Sequence, residues 1–339
     1  MREYSHKKIK TFCVGFEDHE YDESQYAKNI AAYLDTEHFE EYITASMVRD
    51  IVPRLPEIYD EPFADPSQIP MYFVSSLAAQ EVKAVISGDG GDELFGGYKR
   101  YLEGRDLSYI RESFLYKILP PNLIQFFVMR KFKNWRYYSP KNKANKVINS
   151  VDYLDLYQIL IDGYSEDILG GKNQLNFSGF NLRRASFNQN PIEYFLYFDQ
   201  KIYLPDDVLT KVDRASMYNG LEVRVPFLDH RIVEFSWNIS LKNKIDRLNR
   251  KKILKDLLAT YLPKELYDRP KMGFRAPVDS WLRGSLREWA EFLLEGDIPY
   301  FQRKEVLDVW KDHIEMRKNN SRLLWPLLMF CAWHKRWIS

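Results

Sequence analysis

The run Ile86-Ser87-Gly88-Asp89-Gly90-Gly91-Asp92-Glu93-Leu94-Phe95-Gly96-Gly97-Tyr98 constrains the fold of this chain more than any other stretch. The apolar residues Val82, Ala84, Val85 and Ile86 before it suit a short buried strand, and the glycines allow a turn that side chains cannot crowd. A strand that breaks into a glycine turn and then enters a helix presents backbone N–H groups together, which favours phosphate or another oxyanion. Three acids, Asp89, Asp92 and Glu93, stand beside that cradle and would repel a bare phosphate. A divalent cation between them, most naturally magnesium carrying a nucleotide phosphate, reconciles the two. A plainer reading is a glycine-rich turn followed by an acidic first helical turn, which the helix dipole favours on its own.

The surrounding pattern places this turn in an α/β layer. Ile9 to Phe16 is predicted as a strand, Glu23 to Leu34 as an amphipathic helix, Glu37 to Ile43 as a strand, and Met71 to Gln80 as a helix leading into the Val85 strand. Such alternation implies parallel βαβ units, with ligands at the carboxyl ends of the strands, where the turns at Gly15-Phe16-Glu17 and Ser87-Gly88 would lie. Beyond about residue 105 the chain reads as helices: Tyr153 to Tyr164, Pro191 to Tyr203, Arg250 to Tyr261, Ser285 to Leu294, Lys304 to Arg317 and Leu323 to Trp337. We therefore expect a nucleotide-binding α/β core over 1–105 and a mostly helical part over 106–339.

Several segments then resemble one family. Ser87 to Tyr98 is similar to the second signature of the synthetase domain of glutamine-hydrolysing asparagine synthases. Lys10 to Phe16, Tyr59-Asp60-Glu61-Pro62 with Asp65-Pro66-Ser67, Leu221 to Asp229, and Arg269-Pro270-Lys271-Met272-Gly273-Phe274 resemble further landmarks, in family order. The resemblance implies a truncated parallel sheet of the adenine nucleotide alpha-hydrolase type with a large helical C-terminal extension. It implies ATP and Mg2+ as cofactors, and an activity in which aspartate is activated as an acyl-adenylate and then attacked by ammonia. Residue by residue, it implies ATP contacts for Val14, Ser87 and Gly88, a catalytic carboxylate at Asp89, a metal or pyrophosphate carboxylate at Asp92, and a catalytic lysine at Lys271. Buried strand packing explains Val14 equally well, and an isolated lysine in a polar loop is usually only solvated.

The chain departs from the family in three places. The first phosphate loop, Ser-Gly-Gly-x-Asp-Ser, does not occur in these residues, nor does a glutaminase domain with its N-terminal cysteine. Asp89 stands where close relatives of the bacterial glutamine-dependent enzyme carry Glu, which opens the identity of the acyl substrate. We accordingly expect the part of a synthase that follows its first phosphate loop. The alternatives are amidation of another carboxylate, on a surface sugar or a peptide, or an inactive or split subunit completed by a partner such as a separate glutaminase chain. Cys13, in an apolar strand, and Cys331, in a helix rich in Trp and Leu, are not placed as nucleophiles.

Two more positions carry open readings. Tyr98 reaches a substrate or packs beside the glycine pair. Arg224 binds a carboxylate or phosphate bidentately, or pairs with Glu222.

Charge and histidine spacing narrow the field. Forty-nine basic residues nearly balance 48 acidic ones for a formal charge of +1, so overall electrostatics give no case for nucleic acid or membrane partners. Met129 to Asn145, basic and aromatic, superficially resembles a nucleic-acid patch, but such surface loops between helices are common. No two of the six histidines have metal-ligand spacing. The 339 residues contain neither a bilayer-length apolar run nor a signal peptide, so a cytoplasmic location is expected, with a homodimer left open.

Overall fold

Strand β1 (Lys10–Phe16) is rich in β-branched and aromatic residues, and it pairs in parallel with β2 (Glu37–Ile43), Lys10 opposite Glu37 and Phe16 opposite Ile43. In register, the Phe12 and Phe39 rings stack at 5.3 Å, a cross-strand pair of the kind that contributes about 0.2–1 kcal/mol. Between the strands runs α1 (Ser24–Tyr33), whose start is held by the Asp22 carboxylate accepting from the Ser24 N–H at 2.9 Å. The computed structural model describes residues 4–18, 20–114, 118–131, 140–161, 190–246, 249–268, 276–296 and 300–339.

After β2 the chain enters α2 (Ala45–Ile51), capped by Thr44, whose hydroxyl accepts from the Met47 N–H at 3.3 Å. Helix α3 (Leu55–Tyr59) stops at Asp60, which takes a left-handed conformation. Asp65 then holds the Ser67 N–H at 2.9 Å and its hydroxyl at 2.7 Å, fixing the entry to α4 (Gln68–Glu81). From α4 the chain passes into β3 (Ala84–Ile86), the turn, α5 (Gly91–Phe95) and α6 (Lys99–Glu112). The predicted elements of the first hundred residues are all present, with boundaries moved by a few residues.

The strands are parallel, as predicted, but among the described residues they form two two-stranded sheets. β1 pairs with β2, and β3 pairs with β4 (Glu222–Arg224). β3 has only three ladder positions, all with β4, and among the described residues no ladder joins it to β1 or β2; Ile86 stays 53% exposed. Helices dominate the rest. None of the described helices is long and apolar enough to cross a membrane.

Two apolar cores result. The first joins Val14, Phe16 and Ile43 of the strands and the inner faces of α2, α3 and α4 to the helices Val278–Arg283, Arg287–Glu295, Arg303–Ile314 and Ser321–Trp337. Trp325 is fully buried there, and the last helix is pinned to α3 by Trp337 Nε1 donating to the Pro56 carbonyl at 3.0 Å. The second core packs α6 against the helices Pro121–Lys131, Pro140–Asn149, Tyr153–Ile161 and Pro191–Phe198 around Leu107, Tyr157 and Phe195. Pro191–Phe198 widens into a π-helical segment, Asp199–Leu209, before resuming as Thr210–Tyr218. Pro205 lies within that segment and can give no N–H to a tighter ladder.

Candidate functional site

The turn after β3 is locked at both ends. The Ser87 N–H donates to the Arg224 carbonyl at 2.9 Å, which continues the β3–β4 ladder into the turn. Ser87 Oγ donates to the Asp89 carboxylate and accepts from the Asp89 N–H at 3.3 Å, so the acid is aimed by its own loop. Gly90 takes φ 81°, a left-handed conformation that starts α5 and that a side chain would strain. A Cβ on Gly88 would meet nothing within 4 Å, so open space lies beside the loop where a ligand could approach the backbone.

The three acids do not share one face. Asp89 is half-buried on the loop. Asp92, in the first turn of α5, pairs with Lys251 Nζ at 2.9 Å. Gly97 leaves room for that pair: a Cβ there would lie 1.6 Å from Asp92 Oδ1 and 2.4 Å from Lys251 Cε, so a side chain would have to displace the pair. Glu93 is fully buried and accepts from the Tyr98 hydroxyl at 2.5 Å. Burial raises the Glu93 carboxyl above its usual range against the opposing effect of that hydrogen bond. The cradle therefore presents two carboxylates rather than three, and Tyr98 is a support for the loop rather than a group turned outward. Among the described residues no group of three or more His, Cys, Asp or Glu is arranged to hold a metal ion.

Beneath the loop lies a support that the sequence did not announce. The Tyr98 and Tyr203 rings flank the Arg100 guanidinium at 4.0 and 4.2 Å. Arg100 donates from Nε and Nη2 to Oδ2 of the fully buried Asp199 at 3.1 and 2.8 Å, and the Tyr157 hydroxyl donates to Asp199 Oδ1 at 2.6 Å. Gln200, the next residue, donates to the Glu93 carbonyl at 3.1 Å and accepts from Trp237 Nε1 at 3.0 Å. The π-helical segment thus grips α5 from behind. A cavity of about 340 Å³ is lined by Leu94, Gln200, Leu204, Leu228 and Trp237; Leu228 also lies against Gly90.

A second charged cluster sits near Asp89. Lys211 Nζ binds Asp65 Oδ2 at 2.7 Å, and both groups are largely buried. Burial alone would lower the Lys211 pKa; the Asp65 and Asp207 carboxylates outweigh it and hold the ammonium above its ordinary value, with Asp89 adding to them. Burial, and then the Asp65 charge, push Asp207 up to about 6. Asp65 was legible as part of a family landmark. Asp207 and Lys211 carried no local signal, and the Asp65–Lys211 contact spans 146 positions of sequence.

The other candidates resolve as follows. Val14 is buried in the first core, paired opposite Glu41. Arg224 lies at the carboxyl end of β4 beside Ser87, with its guanidinium on Glu222 at 2.8 Å and both side chains exposed. An exposed pair of this kind contributes little to stability, so Arg224 can exchange partners at small cost. Cys331 is buried and burial pushes its thiol up to about 11, so it is no thiolate nucleophile. Lys271, with the rest of 269–275, lies outside the described residues.

Sequence comparison agrees with the landmarks. The family model for asparagine synthase matches residues 1–335. The asparagine synthetase (glutamine-hydrolyzing) 1 of Bacillus subtilis is 28% identical over 337 residues, covering 97% of this chain and 52% of that protein. A provisionally named asparagine synthetase (glutamine-hydrolyzing) of Mycobacterium bovis is 31% identical over 354 residues, covering 96% of this chain and 50% of its own length. The chain spans about half the length of these curated relatives. With a match that runs through both cores and the loop between β3 and α5, the chain belongs to the asparagine synthase family.

Proposed function

We propose that this chain carries the ATP-dependent, amide-forming part of an asparagine synthase-type ligase, with the loop Ser87–Asp92 as its pyrophosphate and acyl-activation site. The observation that carries the reading is the loop itself: a glycine turn at the carboxyl end of a parallel strand, locked to Arg224 on one side and aiming Asp89 through Ser87 on the other. Aspartate is the acyl substrate of first choice. Its side-chain carboxylate oxygen attacks the α-phosphorus of ATP, the bond to pyrophosphate breaks, and ammonia then attacks the acyl carbon of the adenylate to expel AMP.

In this reading the open space at Gly88 admits the phosphate chain against the backbone, and the Val14 backbone contacts the adenine. Asp89 acts where the adenylate forms. Lys271 stabilises the departing pyrophosphate, and Arg224 leaves Glu222 to hold a substrate carboxylate. Magnesium bound by nucleotide phosphates needs only one or two protein carboxylates, and Asp92 fits as one on releasing Lys251. The ion would neutralise phosphate charge. A Ser-Gly-Gly-x-Asp-Ser loop would come from a further segment or a partner chain.

A second acyl substrate, a carboxylated sugar or peptide, is the alternative, resting on Asp89 being a methylene shorter than the Glu that most close relatives carry there.

The test is exchange of radiolabelled pyrophosphate into ATP, by the chain alone and mixed with a polypeptide carrying a Ser-Gly-Gly-x-Asp-Ser loop. Aspartate-dependent exchange that Asp89→Asn lowers by about 100-fold supports the reading. Exchange with other carboxylates but not aspartate selects the second substrate class. No exchange with any carboxylate in either format rejects it.

A further inference from the structure

From Pro191 to Tyr218 the chain is one long helix, π-helical over Asp199–Leu209. Across its middle Asp199, Tyr203, Asp207 and Lys211 recur at every fourth position, and residues four apart share a helix face, so they form one row. The row is connected along its length. Arg100, bound to Asp199 at 2.8 Å, packs on the Tyr203 ring at 4.2 Å; the Tyr203 hydroxyl hydrogen-bonds to the Asp207 carboxylate, and Asp207 attracts the Lys211 ammonium. Lys211 itself is held in place. Its carbonyl oxygen and that of Gln68 each lie 3.4 Å from the Tyr59 hydroxyl, and its Nζ binds Asp65 Oδ2 at 2.7 Å, an acid that Ser67 fixes in turn.

Only 10% of the Lys211 side chain is exposed, yet three carboxylates from three segments act on its charge: Asp65 before α4, Asp207 in the row and, more weakly, Asp89 on the turn after β3. Buried ion pairs are a poor device for stability, since apolar side chains of similar volume do as well or better. What this one gains is a fixed cation that reaches the acid of the Ser87–Asp92 loop. Asp207 is the member of the row whose charge changes within the range of ordinary assays. Burial, and then Asp65, push its carboxyl up to about 6 against Lys211, the Tyr203 hydroxyl and Arg100, and Tyr59 is the further titratable group that its charge reaches.

We propose that Lys211 is a positioning residue for carboxylate activation: Asp65 and Asp207 together hold its ammonium toward the Asp89 turn, and the site works only while Asp207 is ionised. The inference rests on the reading of Ser87–Asp92 as the activation site and adds a pH control to it. A proton on Asp207 leaves the Lys211 charge with Asp65 alone. The ammonium is then no longer held between two acids, and Asp89 loses its fixed counter-charge.

The experiment is the pH dependence of pyrophosphate–ATP exchange by the full chain mixed with a polypeptide carrying a Ser-Gly-Gly-x-Asp-Ser loop, for wild type, Asp207→Asn, Lys211→Met and Lys211→Arg. The wild-type rate should fall as pH drops through about 6, where Asp207 takes its proton. Asp207→Asn should lose that acid limb and lower the maximal rate about tenfold, with the KM for ATP little changed. Lys211→Met removes a charge that pulls the Asp207 carboxyl down, so the limb should move up by about one pH unit, whereas Lys211→Arg keeps the charge and should hold the limb in place. A wild-type rate that is flat from about pH 5 to 7 would overturn the proposal, as would an acid limb that survives in Asp207→Asn, stays put in Lys211→Met or moves equally in Lys211→Arg. In each of those cases wild-type exchange leaves the activation site standing. No wild-type exchange with any carboxylate would instead reject the proposed function, and this inference with it. If Lys211→Met fails to fold, the wild type and the nearly isosteric Asp207→Asn still decide the matter.

Discussion

Replacing Asp199 with Asn tests the support under the Ser87–Asp92 loop. The carboxylate is fully buried and carries three hydrogen bonds, two from Arg100 and one from Tyr157. An amide has nearly the same shape, so no cavity forms, but its NH2 must face either Arg100 or Tyr157 and one donor pair then clashes. The Arg100 charge, stacked between Tyr98 and Tyr203, loses its counter-ion. Stranding a buried charge in this way costs about 3–5 kcal/mol. At about 2–4 °C per kcal/mol, the midpoint of thermal unfolding should fall by roughly 10 °C. Urea titration followed by tryptophan fluorescence measures the free energy directly. Arg100→Met with Asp199→Leu removes both charges and should recover a large part of the loss, giving a favourable coupling in a double-mutant cycle. An Asn variant within about 0.5 kcal/mol of wild type, or single costs that simply add in the double variant, would refute the ion-pair reasoning.

Three further outcomes follow from the same geometry. Gly97→Ala would push a methyl into the Asp92–Lys251 pair; it should cost about 1–3 kcal/mol in urea titration and lower pyrophosphate exchange, whereas an Ala variant with wild-type stability would remove the steric case for that glycine. Lys244 is buried beneath Trp237 and burial lowers its pKa from 10.5 to about 8, so between those values the unfolded chain holds a proton that the folded chain lacks, and stability gains from this group as pH rises through that window. Lys244→Met should flatten that part of the stability–pH curve relative to wild type and be more stable at pH near 7; an identical curve would contradict the burial effect. Cys331, with its thiol near 11, should resist a disulfide reagent at about pH 8 until the chain is unfolded, as followed by mass spectrometry.

Much of the N-terminal layer was legible because its signals are local. Phe12, Val14 and Phe16 alternate along β1, and the glycines from Gly88 to Gly97 mark a turn whose backbone, at Gly88, borders open space. The start of α1 moved by one residue, to where Asp22 holds the Ser24 N–H, and the short helix α2, capped by Thr44, was not predicted. What stayed hidden is long-range: Arg100 finds Asp199 across 99 positions and Asp65 finds Lys211 across 146, pairings that no periodicity encodes. Glu93 and Asp92 read as equivalent acids in sequence. Only packing separates them, one sealed under Tyr98 and the other held by Lys251. The split into two small sheets was also illegible, since three residues of β3 announce a strand but not its neighbours.

The central claim, activation of a carboxylate through an adenylate at the Ser87–Asp92 loop, is tested most directly by oxygen transfer. Aspartate labelled with oxygen-18 in its side-chain carboxylate is incubated with ATP, ammonia, the chain and the polypeptide supplying the first phosphate loop, and the products are weighed by mass spectrometry. One labelled oxygen should appear in AMP, because the attacking carboxylate oxygen stays on the α-phosphorus when ammonia displaces AMP. Label in inorganic phosphate with ADP as the other product would mean attack at the terminal phosphorus and would contradict the claim.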